Sequence, residues 1–272
     1  MELEKILEIT RANLRRLDAK KYSADQRRFG HIRESGLALA EVFPKADDEF
    51  EDFRHICGDI MDDLELSAED RVIFCRGIAE RAGDIREHIP LIPAKRRCRL
   101  SYVKNPLSDL AYDSFSMFFD RAAVSYAEDF VSACEDVYHS QSDYAVLPVY
   151  SEKSGRLKSF CDLADKYELK KILTCRVYSN TEDAETEFAL FSKNCERVSG
   201  NRRREVFFEL TLPNADIIAL MEYVRKAECD IAWINTTDEK ADICLEIPEN
   251  DITALYIYLM LCLPDHEIKG IY

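Results

Sequence analysis

The chain has 272 residues, of which 47% are hydrophobic, and it carries a formal net charge of −15 with a sequence pI of about 4.9. This length suits about two or three domains, and the hydrophobic content excludes wholesale disorder. Nucleic acids and anionic membranes both bind basic surfaces, so the acidic charge argues against either partner.

Several sequence features exclude further classes of protein. The longest uncharged run, residues 252–264, is too short to span a bilayer and suits a buried helix. Residues 1–5 lack the basic region and apolar core of a secretion signal, so we expect a cytoplasmic location. The ten Cys contain no C-x-x-C pair, and the eight Gly form no phosphate-binding loop. We therefore expect reduced, structural cysteines, no metal and no cofactor.

Residues 1–93 are predicted to form a helical bundle. Apolar residues at helical spacing indicate short amphipathic helices, and residues with capping chemistry precede two of them. The helices are expected over residues 3–17, 26–43, 50–64 and 70–79, with Ser23 and Ser67 as caps. The acidic side chains on their outer faces are interpreted as solvated charge.

From Cys98 the hydrophobic period changes, and strands alternate with helices as far as residue 193. Such alternation predicts a three-layer α/β lobe with a mostly parallel sheet. Strands are expected over residues 98–103, 122–126, 144–149, 171–178 and 186–191, and helices over 107–119, 130–137 and 156–167.

Residues 204–272 follow the order βαββαβ, which is the pattern of a ferredoxin-like domain. The strands are expected over residues 205–212, 231–236, 242–247 and 268–272, and the helices over 214–227 and 251–262. The predicted fold class is therefore α/β and α+β, in three domains: a helical bundle (1–93), an α/β lobe (98–193) and a ferredoxin-like domain (204–272).

The most informative stretch runs from Asp143 to Gly155, where an apolar strand ends at Pro148 and a polar loop leads into a helix. Strand ends of this kind are where α/β sheets place ligand groups. The D-Y-x-V-x-P frame of this stretch resembles prephenate dehydratase, in which the strand leads into an E-N-S loop. The segment Thr186-Glu-Phe188 is similar to the family's T-R-F strand, which carries its catalytic Thr.

The resemblance covers residues 98–272 and implies half of a periplasmic-binding-protein-like fold, followed by a regulatory ACT domain. It also implies two groups of candidate site residues. Thr186 would be the catalytic acid. Ligand groups would be held by Tyr150, Ser151, Glu152, Ser154 and Gly155 in the first loop, and by Asn214, Ala215, Asp216 and Ile217 in the ACT-like domain.

The chain departs from the family at the positions that correspond to the family's substrate-binding and catalytic residues. Tyr150, Ser151 and Glu152 replace the E-N-S triplet, and Glu187 stands where the family has an Arg. A carboxylate there would repel a dicarboxylate substrate, for which a cation is the natural partner. Only a few residues separate Tyr178 from Thr186, where the family inserts a second lobe that closes a dry cleft. The family's phenylalanine-binding E-S-R-P motif is not recognisable either.

We therefore expect a non-catalytic, prephenate-dehydratase-related regulatory or ligand-binding protein. It would sense an amino acid or another small carboxylic acid and form a homodimer through the ACT-like domain. Two alternatives stay open. One is an active prephenate dehydratase, which converts prephenate to phenylpyruvate. The other is a protein-interaction module that acts through the acidic helical bundle.

Overall fold

The structure is a computed structural model that describes residues 24–40, 50–82, 91–92, 97–179, 183–198 and 205–272. Proximity of Cα atoms divides the chain into two compact units. Of the described residues, the first unit holds 24–40, 50–82, 221–227 and 253–264, and the second holds the rest. The three predicted domain boundaries stay a prediction.

The first unit is helical, as the spacing of apolar residues predicted. Its N-terminal helices are α1 (residues 24–39), α2 (Phe50–Asp63) and α3 (Ala68–Ala82). The helix predicted over residues 3–17 and the cap predicted at Ser23 lie outside the described residues. No helix within the described ranges is long and apolar enough to cross a bilayer.

The start of α3 confirms the predicted cap. Ser67 Oγ accepts a hydrogen bond from Asp70 N–H at 3.3 Å, and Asp70 Oδ2 accepts one from Ser67 N–H at 3.2 Å. This reciprocal arrangement satisfies N–H groups that a helix start would otherwise leave unpaired. Arg28 Nη2 of α1 donates to the same Asp70 carboxylate at 2.6 Å and so links the two helices.

The helices α1 and α3 cross at two glycines. A Cβ atom on Gly36 would lie 2.3 Å from Phe74 O, and one on Gly77 would lie 2.5 Å from Arg33 O. Because these contacts are with backbone atoms, only glycine permits the close approach. Parts of two C-terminal helices complete this unit: α7 (Ile217–Ala227) and α8 (Ile252–Cys262).

The second unit is built on one ten-stranded sheet. A separate parallel pair joins β1 (Leu91–Ile92) to β8 (Arg197–Val198). The strands of the large sheet are β2 (Arg97–Val103), β3 (Arg121–Ala127), β4 (Tyr144–Ser151), β5 (Gly155–Arg156), β6 (Lys170–Ser179), β7 (Ala184–Ser192), β9 (Glu205–Pro213), β10 (Asp230–Thr236), β11 (Lys240–Pro248) and β12 (Glu267–Ile271).

The α/β half of this sheet has helices on both faces. Side chains alternate along β4, so that Tyr144 and Val146 enter one core and Ala145 and Leu147 enter the other. The first core packs against α4 (Pro106–Ser116), and the second against α5 (Phe130–Tyr138) and α6 (Lys158–Lys166). The three-layer prediction is confirmed.

The pairing in this half is mixed. Strands β3, β2 and β4 are parallel, as the alternation of strands and helices indicated. Strand β7 pairs antiparallel with both β4 and β6, because β6 and β7 form a hairpin. The prediction of parallel pairing is therefore confirmed for β3, β2 and β4. It is corrected for β7, which pairs antiparallel with both of its neighbours.

The C-terminal strands are antiparallel in the order β10-β11-β9-β12, as expected for a βαββαβ chain. Strand β12 also pairs parallel with β6, at Gly270 and Lys171. We call this junction the seam. It joins the ferredoxin-like strands and the α/β strands into one sheet.

Replacing Gly270 by Ala tests the seam. The new Cβ would lie 2.4 Å from Lys171 O, so β12 and β6 must separate, and we expect a loss of about 1–3 kcal/mol in the free energy of unfolding. The matched control is Gly58→Ala in α2, where a Cβ meets nothing within 4 Å and Ala should stabilise the helix by up to about 1 kcal/mol. Urea denaturation measures both. Equal stability of the two variants would contradict the seam.

Candidate functional site

The loop predicted to bind ligand after β4 is a tight hairpin. Tyr150 lies opposite Arg156, and Ser151 lies opposite Gly155, in the antiparallel β4–β5 pair. Gly155 has φ +68°, where a side chain would be strained, and Ser154 N–H donates to Ser151 O at 3.2 Å. The hairpin turns the chain back and brings Arg156 beside the end of β4.

Thr186 lies next to this hairpin. It is opposite Ser151 across the β4–β7 pair and opposite Val177 across the β6–β7 pair. Glu152 is held there by Glu185: Glu152 N–H donates to Glu185 O at 2.9 Å, and Glu152 Oε2 accepts from Glu185 N–H at 3.1 Å. The structure thus brings Thr186 and the first predicted loop together, with carboxylates around them.

The second predicted group lies where β9 leads into α7. Asn214 N–H donates to Glu239 O at 3.0 Å, and Asn214 Nδ2 donates to Thr237 O at 2.9 Å. Among the site residues predicted from the sequence, Tyr150 is the one that lines the large cleft described in the next paragraph. The roles predicted for Thr186 and for Asn214, Ala215, Asp216 and Ile217 stay predictions.

A cleft of about 1140 Å³ lies between the α/β strands and the C-terminal strands of the sheet. One wall is the end of β4 with one face of α6; it carries Tyr150, Arg156, Lys158, Cys161, Asp162 and Asp165. The opposite wall comes from the C-terminal strands; it carries Trp233, Asn235, Asp242, Cys244, Glu246 and Tyr272. Because β4 and the C-terminal strands belong to one sheet, the seam sets the distance between the two walls.

A buried carboxylate lies beneath the cleft. Glu209 is 5% exposed, and its Oε2 accepts from Lys171 Nζ at 2.6 Å and from Tyr272 OH at 3.2 Å. Its Oε1 lies 3.5 Å from Arg156 Nη2. We call these four residues the Glu209 cluster. One carboxylate here serves two cations, an arrangement that is stable only while all its hydrogen bonds are made.

Arg156 connects the cluster to the cleft. Its guanidinium stacks on Trp233, with Cζ 4.1 Å from the ring centroid, and its side chain is 34% exposed. A guanidinium has five N–H donors, and the bond to Glu209 uses only one of them. Arg156 can therefore donate to a ligand carboxylate while remaining held in place.

The charges around Arg156 continue onto α6 and β12. Asp165 Oδ1 lies 3.2 Å from Lys269 Nζ. Burial raises the pKa of Asp165, and the charges of Asp242 and Glu209 add to this, against the lowering effect of Lys269. Burial lowers the pKa of Lys269, but Asp165 and Glu267 outweigh it, so the net shift is upward.

The floor of the cleft is balanced in charge. A pocket of about 20 Å³, with room for one water-sized group, lies beside the cluster. Three carboxylates and three cations bound it: Asp165, Glu209 and Asp242, with Arg156, Lys171 and Lys269. Most of these charges are paired with one another, and together they give the floor of the cleft no net charge.

Two thiols of the cleft, those of Cys244 and Cys175, are not activated. Burial, with a smaller contribution from the charge of Glu209, raises the pKa of Cys244 to about 12. Burial likewise raises the pKa of Cys175 to about 12. Both thiols therefore stay protonated near neutral pH and are weak nucleophiles. Within the described ranges, no three His, Cys, Asp or Glu side chains are placed to hold a metal ion.

Sequence reasoning did not single out Lys171, Glu209 or Arg156. A signal was present in β9, where Phe207, Glu209 and Thr211 alternate with Val206 and other apolar residues. An acid in the middle of an otherwise buried strand indicates a paired charge. Nothing in the sequence names its partner, because Lys171 and Arg156 come from the other half of the sheet.

The solved structures that are similar to this chain include three that each cover 64% of its length. Prephenate dehydratase from Streptococcus mutans matches with a TM-score of 0.51 and 13% identity over 97% of its own chain. Prephenate dehydratase from Arthrobacter aurescens, in complex with L-Phe, matches with a TM-score of 0.47 and 11% identity over 89% of its own chain. A quorum-quenching acylase, GqqA, matches with a TM-score of 0.48 and 12% identity over 94% of its own chain.

At these identities the likeness shows the fold alone, which is prephenate-dehydratase-like. No family model and no curated protein sequence matches the chain.

Removing the Lys171 ammonium tests the Glu209 cluster. In Lys171→Met, Glu209 keeps only Arg156 and Tyr272, and we expect a loss of about 3 kcal/mol in the free energy of unfolding. The double variant Lys171→Met/Glu209→Gln should recover most of that loss.

The neighbouring Lys170→Met is the control. It breaks the pair between Lys170 and Glu267, whose carboxylate is half-exposed, and should cost no more than about 1 kcal/mol. Chemical denaturation measures all three variants. Equal losses of unfolding free energy in Lys170→Met and Lys171→Met would mean that the buried pair stabilises the fold no more than the exposed pair does.

Proposed function

We propose that this protein is a non-catalytic relative of the prephenate-dehydratase fold that binds an amino acid in the cleft above the Glu209 cluster and acts as a regulator. The observation that carries the proposal is the balanced set of charges around Arg156. An amino acid presents one carboxylate and one ammonium group, and the cleft offers partners for both close together.

The polarity of the cleft supports this ligand. Arg156 offers N–H donors to a carboxylate, and its guanidinium is pre-organised by stacking on Trp233. Asp162 and the half-exposed Asp165, both on α6, offer acceptors to an ammonium group. The aromatic surface of Trp233 and Tyr272 accommodates an apolar side chain.

The surroundings of Thr186 argue against dehydration of prephenate. Thr186 is flanked by Glu185 and Glu187, and the carboxylate of Glu152 accepts a hydrogen bond from Glu185 N–H of the same strand. Arg176 is the nearby cation, but its Nε lies 3.5 Å from Glu187 and its side chain is 72% exposed. A dianionic substrate would meet more negative than positive charge at this point.

Other parts of the proposal rest on the sequence. An ACT-like role for the C-terminal domain, a homodimer formed through it and a cytoplasmic location stay predictions. So does the alternative in which the acidic helical bundle acts as a protein-interaction module. Light scattering of the purified chain measures its molar mass and tests the dimer.

Titration with the twenty amino acids tests the ligand. Trp233 is the one tryptophan of the chain, so its fluorescence reports directly on the cleft. We expect saturable changes in emission and a raised melting temperature with at least one amino acid. The variant Arg156→Met should weaken binding about tenfold to a hundredfold, as expected for a lost hydrogen bond to a charged group.

The control is Arg121→Met, on β3 at the opposite edge of the sheet, which should bind as the unmodified protein does. A flat titration with all twenty amino acids by both readouts would contradict the proposed ligand.

Incubation with prephenate tests the catalytic alternative. We expect no phenylpyruvate above the uncatalysed rate, from either the unmodified protein or Thr186→Val, because carboxylates crowd the Thr186 position. The decisive readout is the absorbance of phenylpyruvate. If the unmodified protein forms product and Thr186→Val does not, the chain is a dehydratase and the non-catalytic proposal fails.

A further inference from the structure

The strand β10 presents an unusually open edge. It is the outermost strand of the ten-stranded sheet and pairs on one side with β11; no described strand pairs with its other side. Every residue from Asp230 to Thr236 is exposed except Trp233, which is half-buried. Ile231 and Ile234 are 41% and 46% exposed.

This edge has only part of the usual protection against pairing. Natural edge strands carry Lys or Pro, or are covered, because their free N–H and C=O groups would otherwise pair with another chain. Residues Asp230–Thr236 contain no Lys, Arg or Pro. The one irregularity in the β10–β11 pair lies between Ile231 and Trp233, so the part from Trp233 to Thr236 is regular.

The open edge borders the cleft. Four consecutive residues of β10, Ala232–Asn235, line it. Successive side chains of a strand point to opposite faces, so a continuous run of lining residues means that the edge itself is presented to the cleft. At about 1140 Å³ the cleft is also larger than a single amino acid requires.

On the face of β10 and β11 that borders the cleft, three cross-strand pairs follow one another along the strands. The two outer pairs contain carboxylates, and the middle pair contains the aromatic side chain of Trp233. In register, Asp230 lies opposite Glu246, Trp233 opposite Cys244 and Asn235 opposite Asp242. Asp242 and Glu246 are four residues apart, which is about 14 Å along a strand. An extended peptide places residues i, i+2 and i+4 on one face with the same spacing.

We propose that the β10 edge binds an extended peptide segment of a partner protein by strand addition, with the pattern basic-x-apolar-x-basic. The apolar side chain packs on Trp233, and the basic side chains face the acidic positions at either end. Backbone hydrogen bonds to β10 supply affinity, and the alternate side chains supply specificity. The inference goes beyond the amino-acid site and does not require it.

The probe is the blocked peptide acetyl-Ser-Lys-Thr-Leu-Thr-Lys-Ser-amide, titrated against the full chain. We expect a saturable change in Trp233 emission and slower hydrogen exchange in Asp230–Thr236, because added strand pairing protects those amides. The same peptide with both Lys replaced by Glu is the control and should bind at least tenfold more weakly. Equal binding of the two peptides would overturn the charge pattern.

A matched pair of variants locates the contact. Asp230→Lys should weaken the Lys peptide about tenfold, and Asp238→Lys, on the exposed turn between β10 and β11, should leave it unchanged. Binding that changes emission without protecting β10 from exchange would place the peptide elsewhere and overturn strand addition.

The two proposals can fail separately. Binding of a free amino acid without the peptide would leave the amino-acid site standing and overturn the strand addition. Binding of the peptide without any free amino acid would support the strand addition and overturn the amino-acid site. No response to either ligand would overturn both proposals. A dimer that Asp230→Lys dissociates, with no peptide binding, would show that a second copy occupies the edge, which also overturns the peptide.

Discussion

The second unit of the protein depends on how one buried carboxylate is satisfied across the seam. Glu209 belongs to the ferredoxin-like strands, and its closest partner, Lys171, belongs to the α/β strands. Lys171 is also the residue whose backbone approaches Gly270 most closely. The absence of a side chain at Gly270 therefore lets the strands meet, and the charge pair makes the same contact specific, since neither charge can stay buried alone.

The seam also accounts for the cleft. In this chain β6 turns directly into β7, so no second α/β lobe can follow at that point. The C-terminal strands supply the facing wall instead, because β12 joins them to β6. The wall opposite α6 is consequently a sheet face with alternating polar residues. A surface of that kind can hold a polar ligand, but it does not exclude water as a second lobe closing over the substrate would.

The elements of the fold could be predicted well from local patterns. The strand predicted over residues 144–149 and the helix predicted to begin after Ser67 follow from periodicity and capping chemistry, and both are present, the strand as Tyr144–Ser151. The seam could not be predicted, because Gly270 and Lys171 are distant in sequence and a glycine carries no periodic signal. The first loop was assigned to ligand binding from its likeness to a family motif. In the structure this loop is a hairpin, held by the hydrogen bond between Ser154 and Ser151, that positions Arg156; its role in ligand binding stays a prediction.

Two ionisable groups of the cleft, Cys244 and Tyr272, keep their protons near neutral pH. A nucleophilic thiol needs a lowered pKa, and burial moves the pKa of Cys244 in the opposite direction, to about 12. Burial and the neighbouring charge of Glu209 also raise the pKa of the Tyr272 phenol. Both groups therefore keep their protons near neutral pH, and Tyr272 uses its proton in a hydrogen bond to Glu209. The Tyr272 phenol is thus committed to holding Glu209, while Arg156 keeps N–H donors beyond its one bond to that carboxylate.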